Sequence, residues 1–433
     1  MKGFIISAPM TGSGKTTVTL GLLAAMRQRG IAVQPFKVGP DFIDPGLHEI
    51  AAGVPSHNLD GWMLTREANA SLFSHATAKA ELAVVEGVMG LFDGFDGKSE
   101  RGSTAEMAKW LDMPVILVID AHATARSAAA IVHGFRDFDP EVKIAGVIFN
   151  RVAGEGHYRI LADAVTDVPI LGWLPYEPSI ELPERHLGLF TAKEEETINR
   201  IATIGDFVGA HIDLGKLPGD TLSLCASVLK TLNTATQRRR VALAHDKAFS
   251  FYYSANRMAL EAAGAEIVEF SPLTDNEVPN ADLLYIGGGY PEIYRKELEA
   301  NTSMRASVKR FIDSGKKFYA ECGGLMYLAE SIDEAGMVGI LPVKITMTDH
   351  LVDFGYCEIT TRADSIFGKA GISARGHQFH YSRALGNASV AAYAVRQGKR
   401  EYSEGFIFPN GIASYIHLHF LSNSAIAQNM LQS

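Results

Sequence analysis

The stretch Pro9-Met10-Thr11-Gly12-Ser13-Gly14-Lys15-Thr16-Thr17 decides the fold of the first half of the chain. It follows the apolar run Gly3-Phe4-Ile5-Ile6-Ser7 and precedes a helical pattern from Thr17 to Arg29, so a glycine-rich turn joins a buried strand to a helix start. Backbone N–H groups at such a start can surround phosphate oxygens, while Lys15 adds charge and Thr16 a hydroxyl for Mg²⁺. Gly12, Ser13, Gly14, Lys15, Thr16 and Thr17 are therefore expected to hold a nucleoside triphosphate. Pro9 stands where the P-loop consensus has its first glycine. A plain strand-to-helix turn is the weaker alternative, because the Gly-Lys-Thr triplet lies in the required context.

Outward from this turn, short apolar runs alternate with helical stretches: Ile31 to Lys37, Leu82 to Glu86, Pro114 to Asp120 and Lys143 to Asn150. Unbroken apolar strands are buried on both faces, which predicts a parallel α/β sheet domain of P-loop NTPase type. Acids at strand ends are the usual source of a cation site. Glu86 ends one strand, and Asp93 follows in Gly87-Val88-Met89-Gly90-Leu91-Phe92-Asp93-Gly94. The segment Lys37-Val38-Gly39-Pro40-Asp41-Phe42-Ile43-Asp44-Pro45 brings Lys37, Asp41 and Asp44 to the same edge, against the competing reading that Asp beside Pro and Gly is turn chemistry. Asn150-Arg151 occupies the position of the guanine-reading Asn-Lys-x-Asp motif, but Ala153 replaces its acid. ATP is therefore favoured, with Asn150 at the base end.

At roughly 150 residues per domain, 433 residues predict two or three domains. The 47% hydrophobic and 21% charged residues exclude general disorder. A net charge of -9 removes the broad positive field that nucleic acid or an anionic membrane surface requires, so neither is an expected partner. Three cysteines are too few for a disulfide framework, and no run suits a signal peptide or membrane span, so the cytoplasm is the expected compartment. A polar stretch, Thr231 to Arg240, then precedes a new strand, Val241 to Ala244, and divides the chain into domains at 1–235 and 240–433. The alternation restarts there, with a helix near Tyr253 to Ala263 and strands at Glu266 to Phe270, Leu283 to Ile286 and Lys317 to Ala320.

The last of these strands leads into Glu321-Cys322-Gly323-Gly324 and a helix expected from Leu325 to Ser331. A cysteine on a tight turn at a helix start has the position of a nucleophile, with a thiol pKa expected to be lowered by the helix dipole. Cys225 and Cys357 carry no such context and read as structural. Gly287-Gly288-Gly289-Tyr290-Pro291-Glu292 follows a strand, and the amides of Gly288 and Gly289 are candidate oxyanion donors. The thiol needs a base, and Ser414-Tyr415-Ile416-His417-Leu418-His419-Phe420 offers two histidines on one strand face, between which the pattern does not choose. His377 and His380 form a second pair; neither pair has a third ligand at metal-binding spacing.

A phosphate cradle followed by a Cys/His domain has the organisation of an ATP-dependent amidotransferase. Through Ser13 to Thr17, Lys37 to Pro45, Glu86 to Gly94, Phe270 to Leu273, Gly287 to Glu292, Glu321 to Leu328, Arg375 to Ser382 and Ser414 to Phe420, in this order, the sequence resembles the cobyrinic acid a,c-diamide synthase family of corrinoid biosynthesis over essentially its whole length. The resemblance implies a dethiobiotin-synthetase-like P-loop domain followed by a class I glutamine amidotransferase α/β domain, with Cys322 as nucleophile and His417 as base. It implies amidation of the a and c acetate side chains of cobyrinate or hydrogenobyrinate through acyl phosphates, with ATP, L-glutamine and the corrinoid macrocycle as substrates. Thr16 and Glu86 are then candidates for Mg²⁺, and Lys37, Asp41, Asp44 and Asp93 for substrate or intermediate. A homodimer is compatible with this reading. His419 stands where class I enzymes usually carry the glutamate of the triad, so the third member is unassigned. Cobyric acid synthase, a sirohydrochlorin a,c-diamide synthase and, in another class, a P-loop ATPase switch are the alternatives.

Overall fold

Runs without a polar break, such as Phe4-Ile5-Ile6 and Val115-Ile116-Leu117-Val118, are wholly buried, as strands covered on both faces must be. The computed structural model describes residues 2–180, 195–218, 238–386 and 391–432. The chain divides into two compact units, Met1–Leu229 and Lys230–Ser433. The polar stretch expected to part the domains lies mostly outside the described residues, as does Cys225.

In the first unit, strands β1 (Lys2–Ser7), β2 (Val33–Val38), β3 (His57–Leu59), β4 (Leu82–Glu86), β5 (Val115–Asp120), β6 (Ile144–Val152) and β7 (Ile170–Pro175) form one sheet in the order β3-β2-β4-β1-β5-β6-β7. Every pairing is parallel. The helices are α1 (Lys15–Gln28), α2 (Ile43–Ala52), α3 (Arg66–Ala76), α4 (Thr104–Leu111), α5 (Ser127–Phe138), α6 (Glu155–Ala164) and α7 (Glu195–His211). β1 lies between β4 and β5, so the loop after β1 opens where the chain path switches direction across the sheet, the usual ligand position in such folds. Register then brings the acids in: Ile6 pairs with Glu86, and Lys37 pairs with Glu86 from the other side.

The second unit begins with β8 (Arg239–Ala244), α8 (Ser254–Ala262), β9 (Ala265–Phe270), β10 (Leu283–Ile286), α9 (Arg295–Ala300), α10 (Thr302–Asp313), β11 (Lys317–Glu321) and α11 (Gly323–Leu328). It continues through β12 (Ser331–Ile332), β13 (Ala335–Gly336), β14 (Val343–Met347), β15 (Asp353–Thr361), β16 (Ser373–His380), β17 (Ser382–Gly386), β18 (Ala391–Gln397), β19 (Arg400–Phe408), β20 (Gly411–Ser414), β21 (His417–Leu418) and α12 (Ala425–Leu431). Ten strands form one sheet, β21-β16-β15-β18-β19-β20-β11-β10-β8-β9, parallel from β20 to β9 and antiparallel elsewhere. A smaller sheet runs β13-β12-β14-β17. It shortens α11 relative to expectation, because Ser331 pairs with Gly336 and Lys344.

The helix that carries the phosphate turn is seated through a close approach. A Cβ on Gly21 of α1 would lie 2.3 Å from Val208 Cγ2 on α7, and one on Gly205 would lie 2.7 Å from Ala24 Cβ. Gly21→Val should therefore force the two helices apart and destabilise the protein by about 1–3 kcal/mol, read as a lower urea midpoint. An unchanged midpoint would contradict this packing.

Candidate functional site

The phosphate turn is shaped by glycine. Gly14 caps α1 at φ 98° in the left-handed region, and a Cβ there would come within 2.1 Å of Asn150 Nδ2. Asn150 donates to the Ser13 carbonyl at 3.0 Å, and Ser13 Oγ donates to the Met10 carbonyl at 3.0 Å. Asn150, expected at the base end, thus braces the turn from the end of β6. Lys15 Nζ donates to the carbonyls of Met10 (3.2 Å) and Met89 (2.5 Å), which draws the loop after β4 against the turn. Burial, followed by the neighbouring Lys37 charge, lowers the Lys15 pKa to about 8.

Glu86 is the hub of this site. Its Oε1 accepts from Thr16 Oγ1 and from Lys37 Nζ, each at 2.7 Å. Its Oε2 lies 2.7 Å from His48 Nε2. A carboxylate only accepts, so Nε2 carries the proton, and His48 Nδ1 meets Ser56 Oγ at 3.2 Å. Glu86, Lys37, Asp44 and His48 are all buried. Burial alone would raise the Glu86 pKa, but the Lys37 charge and the His48 hydrogen bond overcome it and hold the group ionised below the ordinary range. Lys37 also pairs with Asp44 at 2.6 Å, and these carboxylates outweigh its burial and raise its pKa. Lys37 and Asp44, both expected at the substrate end, therefore bind one another, and Lys37 also binds Glu86.

The remaining acids differ in kind. Asp41 Oδ1 accepts from the backbone N–H groups of Ile43 (2.8 Å) and Asp44 (3.1 Å), the turn chemistry weighed against its functional reading, and it starts α2. Asp93 is exposed, and its Oδ2 accepts from the Gly90 N–H at 2.9 Å. Sequence reasoning missed His48 altogether. An isolated histidine inside a helical pattern gives no signal until the strand order places β2 beside β4.

In the second unit, Cys322 lies at the β11–α11 junction with φ 47°, a strained conformation for a side-chain-bearing residue. Its N–H donates to the Ser414 carbonyl at 2.7 Å. The expected depression of the thiol pKa is not found: burial, then the charge of Glu292, pushes it up to about 12, beyond what the Gly323 amide offsets. The glycine loop after β10 lies against this junction. A Cβ on Gly323 would lie 3.1 Å from Gly289 N, and one on Gly324 would lie 2.2 Å from the Ile286 carbonyl oxygen. A Cβ on Gly288 would lie 2.3 Å from His417 Cε1, so the same loop lies close to both the Cys322 turn and the imidazole. The Gly288 N–H already donates to the Phe251 carbonyl, at 3.3 Å.

His417 on β21 stacks on His377 of β16, with centroids 5.1 Å apart. Burial lowers the His377 pKa to about 3, and burial with the histidine neighbours lowers that of His417 as well, so both rings rest neutral. Tyr253 OH and His377 Nδ1 are 2.8 Å apart. His419 packs on the Tyr253 ring at 4.8 Å, and His380 stacks on Tyr415 at 4.0 Å. Among the described residues no group of three His, Cys, Asp or Glu side chains is arranged to hold a metal. Cys357 is buried in β15 within the core. Sequence reasoning also gave no role to Glu321, whose Oε2 lies 4.0 Å from His417 Nδ1.

Comparison with known proteins agrees with this division. Residues 4–190 match the CobQ/CobB/MinD/ParA nucleotide binding domain, and residues 240–425 the CobB/CobQ-like glutamine amidotransferase domain. The chain is 45% identical to the cobyrinate a,c-diamide synthase of Listeria innocua over 448 aligned residues, covering 99% of each chain. It is 42% identical to that of Streptococcus sanguinis, covering 100% of this chain and 98% of the relative. It is also 42% identical to that of Salmonella typhimurium, covering 99% and 97%. With both domains matched in order and identity sustained from end to end, this chain belongs to the cobyrinate a,c-diamide synthase family.

Proposed function

We propose that this chain is a cytoplasmic enzyme that uses ATP and glutamine to amidate the a and c acetate carboxylates of cobyrinate, or of its metal-free counterpart, in cobalamin biosynthesis. The observation that carries the reading is the presence on one chain of a P-loop with Thr16 and Glu86 side by side and of a cysteine held at positive φ at a helix start. Full-length similarity to relatives bearing the synthase name supports the choice of substrate.

A carboxylate is a poor electrophile, and its oxygen leaves badly. Transfer of the γ-phosphoryl group to a substrate carboxylate oxygen makes an acyl phosphate; ammonia then attacks the carbonyl carbon and phosphate departs with that oxygen. Lys15 and the amides of the 12–17 turn bind the phosphates, and Asn150 keeps the turn in shape. Thr16 and Glu86 would hold Mg²⁺, since their hydroxyl and carboxylate oxygens lie 2.7 Å apart, and the ion would neutralise phosphate charge. Lys37 and His48 keep Glu86 ionised against burial and the neighbouring Asp44 charge, while Asp41 and Asp93, at the edge of the site, orient the macrocycle or its intermediate.

Ammonia comes from glutamine. Both members of the Cys322/His417 pair rest neutral, so the thiol passes its proton to His417 as sulfur attacks the amide carbon. His417 returns that proton to the departing nitrogen, and water hydrolyses the glutamyl thioester. The developing oxyanion is met by the backbone N–H groups of Gly289 and Gly323, with Gly288 shaping the loop beside the imidazole.

Incubating the protein with ATP, glutamine and each of cobyrinate, hydrogenobyrinate and nickel sirohydrochlorin, then weighing the products, tests the reaction. A diamide from cobyrinate or hydrogenobyrinate is expected; ATP hydrolysis without amide from any macrocycle would make the chain a nucleotide switch. Cys322→Ser should abolish glutamine-dependent amidation and spare the ammonia-dependent reaction, whereas Lys15→Ala should abolish both. Loss of both in folded Cys322→Ser would overturn this division of labour. His417→Ala should likewise lower glutaminase kcat far more than His419→Ala, and equal losses would withdraw the base assignment.

The lowered Lys15 pKa gives a further test. The free chain loses this charge as pH rises through about 8, and bound phosphate oxygens restore it. ATP binding near pH 8 should therefore take up protons, seen by calorimetry in buffers of different ionisation enthalpy. The uptake should vanish in Lys15→Met; uptake that survives would place its source elsewhere.

A further inference from the structure

His417 needs a group that fixes its tautomer and stabilises the imidazolium formed on attack, yet a histidine, His419, occupies the position two residues beyond it. Glu321 ends β11 and immediately precedes Cys322. Its Oε1 accepts from Tyr319 OH at 2.6 Å and from the Leu418 N–H at 2.9 Å, and its Oε2 accepts from Tyr285 OH at 2.9 Å. The same Oε2 stands 4.0 Å from His417 Nδ1. One side chain thus precedes Cys322, pins the backbone of the strand that carries His417, and lies on the Nδ1 side of that imidazole.

Three donors on two oxygens match the acceptor-only carboxylate form. Burial holds the Tyr285, Tyr319 and Tyr393 phenols well above their ordinary pKa, so they stay neutral. Tyr252 is raised in the same way, Cys322 rests as a thiol, and His377, stacked on His417, rests neutral. No cation was found to touch this carboxyl among its described partners, and burial raises Glu321 itself to about 7. An imidazolium at His417 is then the charge that best favours its ionisation.

From this arrangement we infer that Glu321 is the positioning acid of the glutaminase: its carboxylate holds His417 with the proton on Nδ1 and stabilises the imidazolium as Cys322 attacks. The inference rests on the Cys322/His417 reading and adds to it the third member that the motif leaves unassigned. When sulfur bonds to the amide carbon, the thiol proton moves to His417 Nε2 and then to the leaving ammonia, while Glu321 neither gains nor loses a proton.

Glu321→Gln in the full chain separates this role from simple anchoring, since the amide oxygen can still accept from the Leu418 N–H. With the thermal midpoint used to verify folding, glutaminase kcat should fall by a factor of about 10² or more, with little change in the KM for glutamine. The acid limb of kcat/KM should move to lower pH, because the imidazolium loses its counter-charge. A wild-type kcat in the folded variant, or a fall in kcat with the acid limb unmoved, would overturn the inference. If the variant does not fold, ¹⁵N NMR of the wild-type imidazole, assigned by difference from His417→Ala, decides: Nδ1–H is expected at rest, and an Nε2–H ring overturns it. Glutaminase activity retained in both Cys322→Ala and His417→Ala would instead sink the underlying reading.

Discussion

A carboxylate buried beside a second acid stays ionised only where opposing charge meets it, and Glu86 is fully buried at the carboxyl end of β4 with Asp44 close by. Everything around the phosphate turn follows from how that charge is met. Lys37 comes from β2 by register, His48 from α2 and the Thr16 hydroxyl from the first turn of α1. Removing one charged partner of such a cluster costs about 3–5 kcal/mol, because the other remains buried without compensation. The cluster therefore fixes the sheet edge, the helix start and the ionisation of Glu86 together, and Asp44 completes it by sharing Lys37.

The amidotransferase unit handles its reactive groups by the opposite device. Cys322 and His417 are both buried, and burial favours the neutral form of each, so in the proposed reaction the pair would ionise only as a substrate carbonyl accepts the sulfur. The positive φ at Cys322 and the absence of side chains on the glycine loop after β10 let backbone pack closely against the turn that carries the thiol. A pair neutral at rest suits an enzyme that should release ammonia only when it can be used.

The parts legible in the sequence were those written locally. The 9–17 turn, Glu86 at a strand end and Cys322 between strand and helix each carry their context within about ten residues, and their backbone settings match it. What could not be read depends on which strands become neighbours. His48 acquires meaning only when β2 lies beside β4, and Glu321 only when β20 lies beside β11 and brings the following residues to Leu418 against it. Lys37 read as a substrate or intermediate residue for the same reason: the register that pairs it with Glu86 is absent from the local pattern. The antiparallel half of the second sheet also escaped, because residues 353–408 mix apolar, polar and glycine positions without the unbroken runs that marked the parallel strands. The acidification expected of Cys322 at a helix start is overturned by burial and nearby acids, which outweigh the one lowering contact, with the Gly323 amide.

In the proposed reaction both devices serve one chemical end, the replacement of a carboxylate oxygen by nitrogen at the cost of one phosphoanhydride bond. If activation passes through an acyl phosphate, the oxygen lost from each acetate must leave on phosphate and not on water. The most direct measurement uses cobyrinate labelled with ¹⁸O in its carboxylates, incubated with ATP and glutamine, with the released phosphate analysed by mass. One ¹⁸O atom transferred to phosphate per amide formed is the result this account predicts; unlabelled phosphate alongside full amide formation would contradict it.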